Sequence, residues 1–517
     1  MRWFFTVAAA LFLALIGPAT AQIPPNVLIV GQIAEPKSLD PQAVTATNDF
    51  RILMNVYDGL VRFKKGTLEV EPALAKSWDI SDDGMTYTFH LRDGVTFQDG
   101  TPFDAEAVKF TFDRMLKDDH PFHDTGPFPL AFFFSQVDTV TAKDKQTVVF
   151  QLKEPFAPFL SNLAYPTGLI VSPAAVKQYG KDFGRHPVGT GAFKFAEWDP
   201  NAKVVVTRND DYWDGAPKLE AVVFRPIADA NTRVAEMLSG GIDLMVEVPP
   251  DSLGQFRDNA SYKVYEQAGP HLWFLILNTK EGPFSDKRVR QAVNYAIDKK
   301  TLVNDVLQGT ADVAAGPIPP AFGWANDGSV DPYPYDPEKA KELIRQAGAE
   351  GKTVTFYVAE GGSGMLDPVA MATAIQADLK KVGLNVRIET YEWNTFLANV
   401  NPGLQGKADM AEMAWMTNDP DTLPFLALRT DAMPDKGGFN SGYYSNQKVD
   451  QLLDAARKTT DQAKRGKLYG EVQKIVHDDA PWAFIANWKQ NAVSTAQVQG
   501  FELEPSFLLI LKDVTKG

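Results

Sequence analysis

A strand–helix–strand pattern between residues 353 and 391 constrains the fold of this chain more than any other feature. Thr353 to Val358 is rich in β-branched and aromatic residues, and Val386 to Tyr391 has the same character. Between them, Met371 to Val382 has helical periodicity and ends at Gly383. Two strands joined by such a helix lie parallel, with a right-handed crossover. The pattern therefore predicts a parallel sheet covered by helices.

The same alternation of short strands and amphipathic helices continues along the rest of the chain. Strands are predicted at Thr86 to Leu91 and Thr147 to Leu152, on either side of a helix from Asp104 to Met115. Another helix is expected to be capped by Asn231 and to stop at Gly240-Gly241. The predicted fold class is α/β, with helices and strands in at least two lobes.

The N-terminus has the order of a secretory signal peptide. Met1-Arg2 supplies a positive charge, Trp3 to Ile16 is apolar, and Gly17-Pro18 interrupts the run before Ala19-Thr20-Ala21. The apolar run is shorter than the ~20 residues that span a bilayer. We expect cleavage after Ala21, with a buried N-terminal helix as the alternative. Since no cysteine stands at the cleavage point, no lipid anchor is expected there.

Composition excludes several classes of protein. The 517 residues contain 51 Lys and Arg against 65 Asp and Glu, a formal net charge of −14, so no basic excess is present to bind nucleic acid or an anionic membrane. Cysteine is absent, which removes disulfides, thiolate metal sites and cysteine nucleophiles. About three domains are expected for this length, at roughly 150 residues per domain.

Catalytic motifs are not found. Gly361-Gly362-Ser363-Gly364 misses the spacing of a serine-hydrolase elbow by one residue, and Gly189-Thr190-Gly191 lacks the remaining glycine of a phosphate-binding loop. His120 and His123 form the one close histidine pair, and their proline and phenylalanine neighbours favour a surface loop over a metal site. We therefore predict no enzyme activity, no metal and no cofactor.

A set of short motifs along almost the whole chain resembles one family. The motifs are, in order, Pro36 to Pro41, Asn55 to Val61, Pro72 to Trp78, Asp83 to Phe89, Leu91 to Pro102, Pro187 to Phe193, Tyr212-Trp213 and Asp286 to Ala292. In this order they resemble the peptide-type extracellular solute-binding proteins of ABC transporters, family 5. Members of that family bind dipeptides, oligopeptides, nickel or glutathione. No single motif is decisive, but the ordered set is highly specific.

The resemblance implies a two-lobed clam shell of three domains that closes on a ligand. The first domain would comprise residues 22–59, 188–269 and 486–517, the second residues 60–187, and the third residues 270–485. The ligand would lie between the first and third domains. The implied protein is a periplasmic monomer that captures a small peptide or peptide-like solute and delivers it to inner-membrane permease subunits.

The resemblance also places the ligand site near Trp415. In dipeptide- and oligopeptide-binding relatives an Asp three residues after a Trp binds the peptide ammonium group, whereas this chain has Asn418 there, followed by Asp419 and Asp421. We expect Asp419 to be the pocket carboxylate, with a turn-forming Asp before Pro420 as the alternative. Dipeptide binders also hold the ligand carboxylate with an Arg on a loop, and Glu360 to Met365 contains no Arg.

Further ligand contacts are predicted at Trp393, Phe439, Asn440 and Tyr443. The segment Phe439 to Asn446 resembles the glutathione-binding branch, so glutathione is a serious candidate. The aromatic residues among them are equally compatible with core packing. Alternative functions are the binding of an opine or a nickel complex on the same fold, a chaperone-like or signalling peptide receptor, and a secreted peptide hydrolase. Nickel is disfavoured because no His lies near the predicted cleft segments.

Overall fold

The structure is a computed structural model that describes residues 26–361 and 365–517. The predicted signal peptide and Gly362, Ser363 and Gly364 of the glycine-rich loop lie outside the described residues.

The described chain forms β-strands that we number in chain order. They are β1 (Val27–Gln32), β2 (Val61–Phe63), β3 (Val70–Pro72), β4 (Ala75–Ile80), β5 (Thr86–Leu91), β6 (Val137–Asp144), β7 (Thr147–Leu152), β8 (Phe193–Asp199), β9 (Lys203–Arg208), β10 (Ala221–Pro226), β11 (Leu244–Val246), β12 (Tyr262–Ala268), β13 (His271–Leu277), β14 (Ala311–Val313), β15 (Thr353–Ala359), β16 (Asn385–Tyr391), β17 (Met410–Met416), β18 (Trp482–Thr495), β19 (Val498–Gln499) and β20 (Thr515–Lys516).

The α-helices are numbered in the same way. They are α1 (Thr47–Val56), α2 (Ala105–Leu116), α3 (Phe159–Ala164), α4 (Pro173–Tyr179), α5 (Ala230–Ser239), α6 (Pro250–Arg257), α7 (Lys287–Ala296), α8 (Lys299–Thr301), α9 (Pro337–Gln346), α10 (Pro368–Lys381), α11 (Trp393–Val400), α12 (Thr422–Ala427), α13 (Gln447–Lys458) and α14 (Gln462–Asp479). Short 3₁₀ turns lie between them, and one, Ala131–Phe134, reaches the site described below.

One large mixed sheet connects the two ends of the molecule through strand β18. The strand order is β16-β15-β17-β13-β18-β11-β1-β10-β9-β8, and β12 and β14 also pair with β18. The first half of β18 pairs with β13 and β14, and its second half pairs with β11 and β12. A separate antiparallel sheet has the order β4-β5-β7-β6. Strand β18 is therefore the element that passes from the predicted third domain into the first.

Three large hydrophobic cores lie in the described structure, and they correspond closely to the three predicted ranges. One core is built on β13 and β15–β18, a second on β1 and β8–β10, and a third on the four-stranded antiparallel sheet. Two exceptions are that Leu68 packs into the core of the third range, and that several residues of the second range pack with the first, namely Leu169, Val171, Ala175, Val176 and Phe183. The domain boundaries themselves stay a prediction, and we keep the names first, second and third domain for those ranges.

The local predictions agree with most of the observed elements. Strands β5 and β7 have the predicted bounds, and β15, α10 and β16 form the predicted unit with β15 and β16 parallel. The predicted cap of α5 was wrong, because the Asp229 side chain, and not that of Asn231, accepts the hydrogen bond from the Thr232 backbone N–H. Gly240 ends this helix in the left-handed conformation, as expected for a helix that stops at glycine.

Candidate functional site

A cavity of about 750 Å³ lies where the three domains meet. This volume is within the range of about 300–1,000 Å³ that is typical of small-molecule sites. The first domain contributes the start of α1, Glu247 and Trp488, the second contributes Phe132, and the third contributes the end of β17. We call this cavity the cleft.

A second cavity, of about 170 Å³, lies between the first and second domains. Its wall contains Arg62, whose guanidinium forms ion pairs with Glu71 at 2.8 Å and Asp214 at 2.9 Å. Arg62 thus already has two carboxylate partners, and the volume is below the usual range for a ligand site. The larger cleft is therefore the better candidate for the functional site.

The third-domain wall is formed by the carboxyl end of β17 and the start of α11. Strand β17 is buried between β13 and β15, and at its end Trp415 and Asn418 line the cleft. The Trp415 ring meets Phe439 edge to face, with centroids 5.3 Å apart and an interplanar angle of 87°. Trp393, the first residue of α11, completes this wall. Three of the predicted ligand residues are thus brought together.

The second-domain wall was not predicted from the sequence. Phe132 and Phe133 belong to the 3₁₀ turn Ala131–Phe134, and both line the cleft together with Tyr165. Phe132 is 53% exposed, whereas Phe134 is buried at 1%. Successive aromatic residues in one turn cannot all face the core, so the run Phe132-Phe133-Phe134 was a signal that a ring is left for another surface.

The first-domain wall carries Arg233 and Glu247, the Arg, Lys, Asp and Glu residues of the described cleft lining. His271 also lines the cleft and pairs with Met416 across β13 and β17, so the expectation that no His lies near the cleft segments is wrong.

Glu247 has a positive φ of 55°, a conformation uncommon for non-glycine residues. The Asn491 side chain fixes the neighbouring Val248, accepting from its N–H at 2.7 Å and donating to its carbonyl at 3.1 Å. The Glu247 carboxylate accepts a hydrogen bond from buried Arg51 at 3.1 Å. Strain at such a position is typical of functional sites.

Arg233 lies beside Glu247 but offers little of its charge to the cleft. Its side chain donates to the carbonyl oxygens of Ile227 and Ala228 and to that of Glu247. Only 3% of the residue is exposed, and burial lowers the pKa of its guanidinium. The described cleft lining is therefore mostly apolar and aromatic, with Glu247 as the more accessible charged group.

Asp419 and Asp421 are not placed as the ligand-anchor prediction requires. The Asp419 carboxylate is 1% exposed, pairs with Arg465 of α14 at 2.7 Å and accepts a hydrogen bond from the Ser161 hydroxyl at 2.9 Å. Asp421 is equally buried and pairs with Arg457 of α13 at 2.9 Å, and burial raises its pKa. Neither side chain lines the cleft. This geometry does not fit an ammonium anchor, because both carboxylates already have internal cationic partners.

The remaining predicted residues lie behind or away from the cleft wall. Phe439 supports Trp415 from behind. Asn440 is buried and donates to the carbonyls of Arg429 at 2.9 Å and Tyr444 at 2.7 Å, so its role is to hold a turn. Tyr443 has a positive φ of 60° and lies under the ammonium of Lys280, 4.9 Å from the ring centroid. None of the three side chains is part of the cleft lining.

Among the described residues, no group of three or more His, Asp or Glu side chains is arranged to hold a metal ion. His123 donates through Nδ1 to the Arg114 carbonyl at 2.9 Å, and His120 accepts from the Phe122 N–H at 3.3 Å. Within residues 26–361 and 365–517, no helix is both long enough and apolar enough to span a membrane.

Comparison with known proteins identifies the family. Residues 69–436 match the family model described as bacterial extracellular solute-binding proteins, family 5 Middle. The chain is 32% identical to Di/tripeptide-binding protein 2 of Pseudomonas aeruginosa, over 96% of each chain. It is 33% identical to the glutathione-binding protein GsiB of Pectobacterium atrosepticum, over 99% of this chain and 98% of that protein.

A solved structure has the same architecture. The protein superposes on HbpA2 from Haemophilus parasuis with a TM-score of 0.88, at 29% identity, over 95% of this chain and all of that one. Similarity over the whole described molecule confirms the predicted α/β clam shell. The chain is a member of the family 5 extracellular solute-binding proteins, the peptide-type periplasmic binding proteins of ABC transporters.

Proposed function

We propose that this protein is the periplasmic binding component of an ABC importer and that its cargo is a small peptide or peptide-like solute. The observation that carries the proposal is the cleft of about 750 Å³ between domains that strand β18 connects. A relative that is 32% identical over nearly its full length is named a di/tripeptide-binding protein. A cavity of this size at a domain junction suits a ligand of a few residues.

Closure of the clam shell explains how a bound solute is signalled to a permease. The second and third domains touch directly: the Asn418 side chain donates to Asn162 at 2.8 Å, and the Ala157 N–H donates to the Arg457 carbonyl at 2.7 Å. A ligand that contacts both walls of the cleft favours a closed arrangement, because it binds the closed state better than the open one. The closed surface is then what the inner-membrane permease subunits recognise.

The finer features of the proposal concern processing and assembly. The precursor is cleaved after Ala21, and the mature protein acts in the periplasm as a monomer without a lipid anchor. It binds its solute and does not convert it. The support for this last point is the family, whose members bind solutes, together with the lack of a recognisable nucleophile–base motif in the sequence.

The experiment that tests the proposal is mass spectrometry of the solute that copurifies with the mature protein from a periplasmic extract. We expect a peptide or peptide-like mass, and the same compound should raise the melting temperature of ligand-free protein. A ligand at 100 times its Kd adds about 2.7 kcal/mol to the stability of the folded state. Steady turnover of a peptide by pure protein, lost on substitution of one cleft residue, would contradict the proposal.

Glutathione is the second candidate solute, favoured by the 33% identity to a protein named glutathione-binding. The described cleft lining counts against it. Glutathione carries two carboxylates, and Arg233 is 3% exposed and already donates to backbone carbonyls. A buried carboxylate without a cationic or multiply donating partner is costly. Calorimetry with glutathione and with neutral blocked peptides of similar size distinguishes the two candidates.

A further inference from the structure

Aromatic side chains from all three domains surround the cleft. Besides Phe63 and Phe507, six aromatic residues line it: Phe132, Phe133 and Tyr165 of the second domain, Trp393 and Trp415 of the third, and Trp488 of the first. All six are partly exposed, so their faces or edges are available to a ligand. A lining of this kind is more specific than an apolar wall of Leu and Val, because aromatic pairs have preferred geometries and an added attraction.

The rings of the third- and first-domain walls are held from behind by other aromatic residues. Trp393 stacks on buried Phe396, with centroids 5.8 Å apart and ring planes 13° apart. Trp488 packs against Phe507, with centroids 5.2 Å apart. Phe507 itself lies directly on Gly269, where a Cβ atom would collide with its ring.

The second-domain rings are supported in the same manner. Phe133 meets Tyr165 edge to face at 5.8 Å, and Tyr165 meets buried Phe50 at 5.3 Å. Side chains held in one orientation lose little conformational freedom when a ligand binds. The cleft rings are therefore pre-organised as a set of surfaces at fixed angles.

The cleft lining that the structure describes contains few ionic groups. In the described cleft lining the ionic groups are Arg233 and Glu247, besides His271, and Arg233 is occupied by carbonyl oxygens. The position that carries the ammonium-binding Asp in dipeptide-binding relatives is Asn418 here, and Asp419 is paired with Arg465. In the described lining Arg233 therefore offers little to a ligand carboxylate, whereas Glu247 can still meet an ammonium group. With one terminus of a short peptide poorly matched, the ligand side chains must supply more of the binding free energy.

We propose, resting on the function proposed above, that the cleft selects peptide-like solutes that carry aromatic side chains over aliphatic solutes of the same length and charge. The rings of the ligand pack against Trp393, Trp415 and Trp488, and Phe132 covers them from the second domain.

The experiment uses dipeptides that differ in aromatic character but not in charge. Phe-Phe, its saturated analogue cyclohexylalanyl-cyclohexylalanine and Leu-Leu are titrated into ligand-free mature protein by calorimetry, with tryptophan fluorescence as a second readout. The saturated analogue is at least as apolar as Phe-Phe, so hydrophobic burial alone predicts equal or tighter binding of the analogue. Aromatic selection predicts that Phe-Phe binds about 3- to 10-fold more tightly than the analogue.

Substitutions of single tryptophan residues then test which side chains cause the preference for Phe-Phe. Trp415→Leu and Trp393→Leu are each expected to reduce the preference for Phe-Phe over the saturated analogue. The matched control is Trp78→Leu, in β4 of the second domain and outside the cleft, which should keep the preference. Equal or tighter binding of the saturated analogue to the wild-type protein overturns this inference alone. If none of the three peptides binds, the peptide-importer function falls and the inference with it.

Discussion

The stretch from Trp415, near the end of β17, to Asp421 has two parts of opposite character. Trp415 and Asn418 face the cleft, whereas Asp419 and Asp421, one and three residues later, are buried in ion pairs with Arg465 and Arg457. Asn418 and Asp419 also contact the second domain, through Asn162 and Ser161. Helices later in the chain thus supply counter-ions to these carboxylates, an arrangement that does not fit a ligand anchor. The segment lines the cleft on one side and contacts the second domain on the other.

The largest effect should follow removal of the Asp419 carboxylate. Asp419→Ala leaves the Arg465 guanidinium, whose side chain is 7% exposed, buried without its partner. Loss of one member of a buried pair costs about 3–5 kcal/mol. We expect a loss of this size in the free energy of unfolding, measured with urea by circular dichroism and tryptophan fluorescence.

The control for this substitution is Glu471→Ala. Glu471 pairs with Lys448 at 3.9 Å and both side chains are more than half exposed, so its loss should cost less than about 1 kcal/mol. An Asp419→Ala protein of unchanged stability that no longer binds its solute would reverse the conclusion and restore Asp419 as the ammonium anchor.

A second comparison within the third domain involves two buried cations. Burial alone would lower the pKa of Arg465, but its pairing with Asp419 raises it overall. Lys299 has no carboxylate partner within the described chain: its ammonium donates to Asn294 at 3.2 Å and lies 5.4 Å from the Tyr333 ring centroid, with His477 nearby. Burial therefore lowers the pKa of Lys299 to about 7.

The lowered pKa of Lys299 predicts a specific pH dependence of stability. Between about pH 7 and the ordinary Lys pKa of 10.5, the unfolded chain holds a proton that the folded chain has released. The free energy of unfolding contributed by this group therefore rises with pH across that window and falls as the pH decreases towards 7. Lys299→Met should remove this rise, which amounts to a few kcal/mol.

The measurement is the difference in unfolding free energy between wild type and variant at several pH values from 7 to 10. Lys300→Met is the matched control, because Lys300 is the next residue and is exposed. The unfolding free energies of the two variants should differ most near pH 7 and become similar at high pH. Parallel profiles for the two variants would show that Lys299 is solvated or has a counter-ion in solution.

Sequence reasoning predicted features that depend on residues close together in the chain and missed features that depend on distant residues. Strands β5 and β7 and the unit from β15 to β16 were predicted because hydrophobic periodicity is local. The family resemblance predicted Trp415 and Asn418 as ligand residues, and Trp393 was predicted beside them. All three line the cleft, and their contact with a ligand stays a prediction. The partner of Asp419 lies 46 residues away on α14, and no local pattern indicates which of the many Arg and Lys residues reaches it.

The first- and second-domain walls of the cleft were not predicted for the same reason, the distance along the chain between their residues. Phe132, Glu247 and Trp488 belong to segments that are distant in the chain and that meet only when the domains assemble. Glu247 had one weak local signal, since it is a charged residue in the otherwise apolar run Leu244 to Pro250. Its positive φ and its contact with Arg51 could be seen only in the structure.

The smallest expected effect concerns the interdomain side of the Asn418–Asp419 segment. Ser161→Ala removes the hydroxyl that donates to Asp419, and Asn162→Ala removes the acceptor for the Asn418 amide. Asn162→Ala also removes a donor to the Phe133 carbonyl, so Ser161→Ala is the cleaner test of the interdomain contact. Each hydrogen bond contributes about 0.5–1.5 kcal/mol, which favours the closed state. Because ligand affinity falls with the fraction of molecules able to close, each variant should bind its solute about 2- to 10-fold more weakly.

The readouts are calorimetry for affinity and small-angle X-ray scattering of the ligand-free protein for closure. We expect a larger radius of gyration in both variants, and a melting temperature reduced far less than in Asp419→Ala, because the Arg465 ion pair is kept. Ser239→Ala, an exposed hydroxyl on α5, is the control. If affinity and radius of gyration are both unchanged, these contacts do not favour closure, and the ion-paired half of the segment serves folding stability alone.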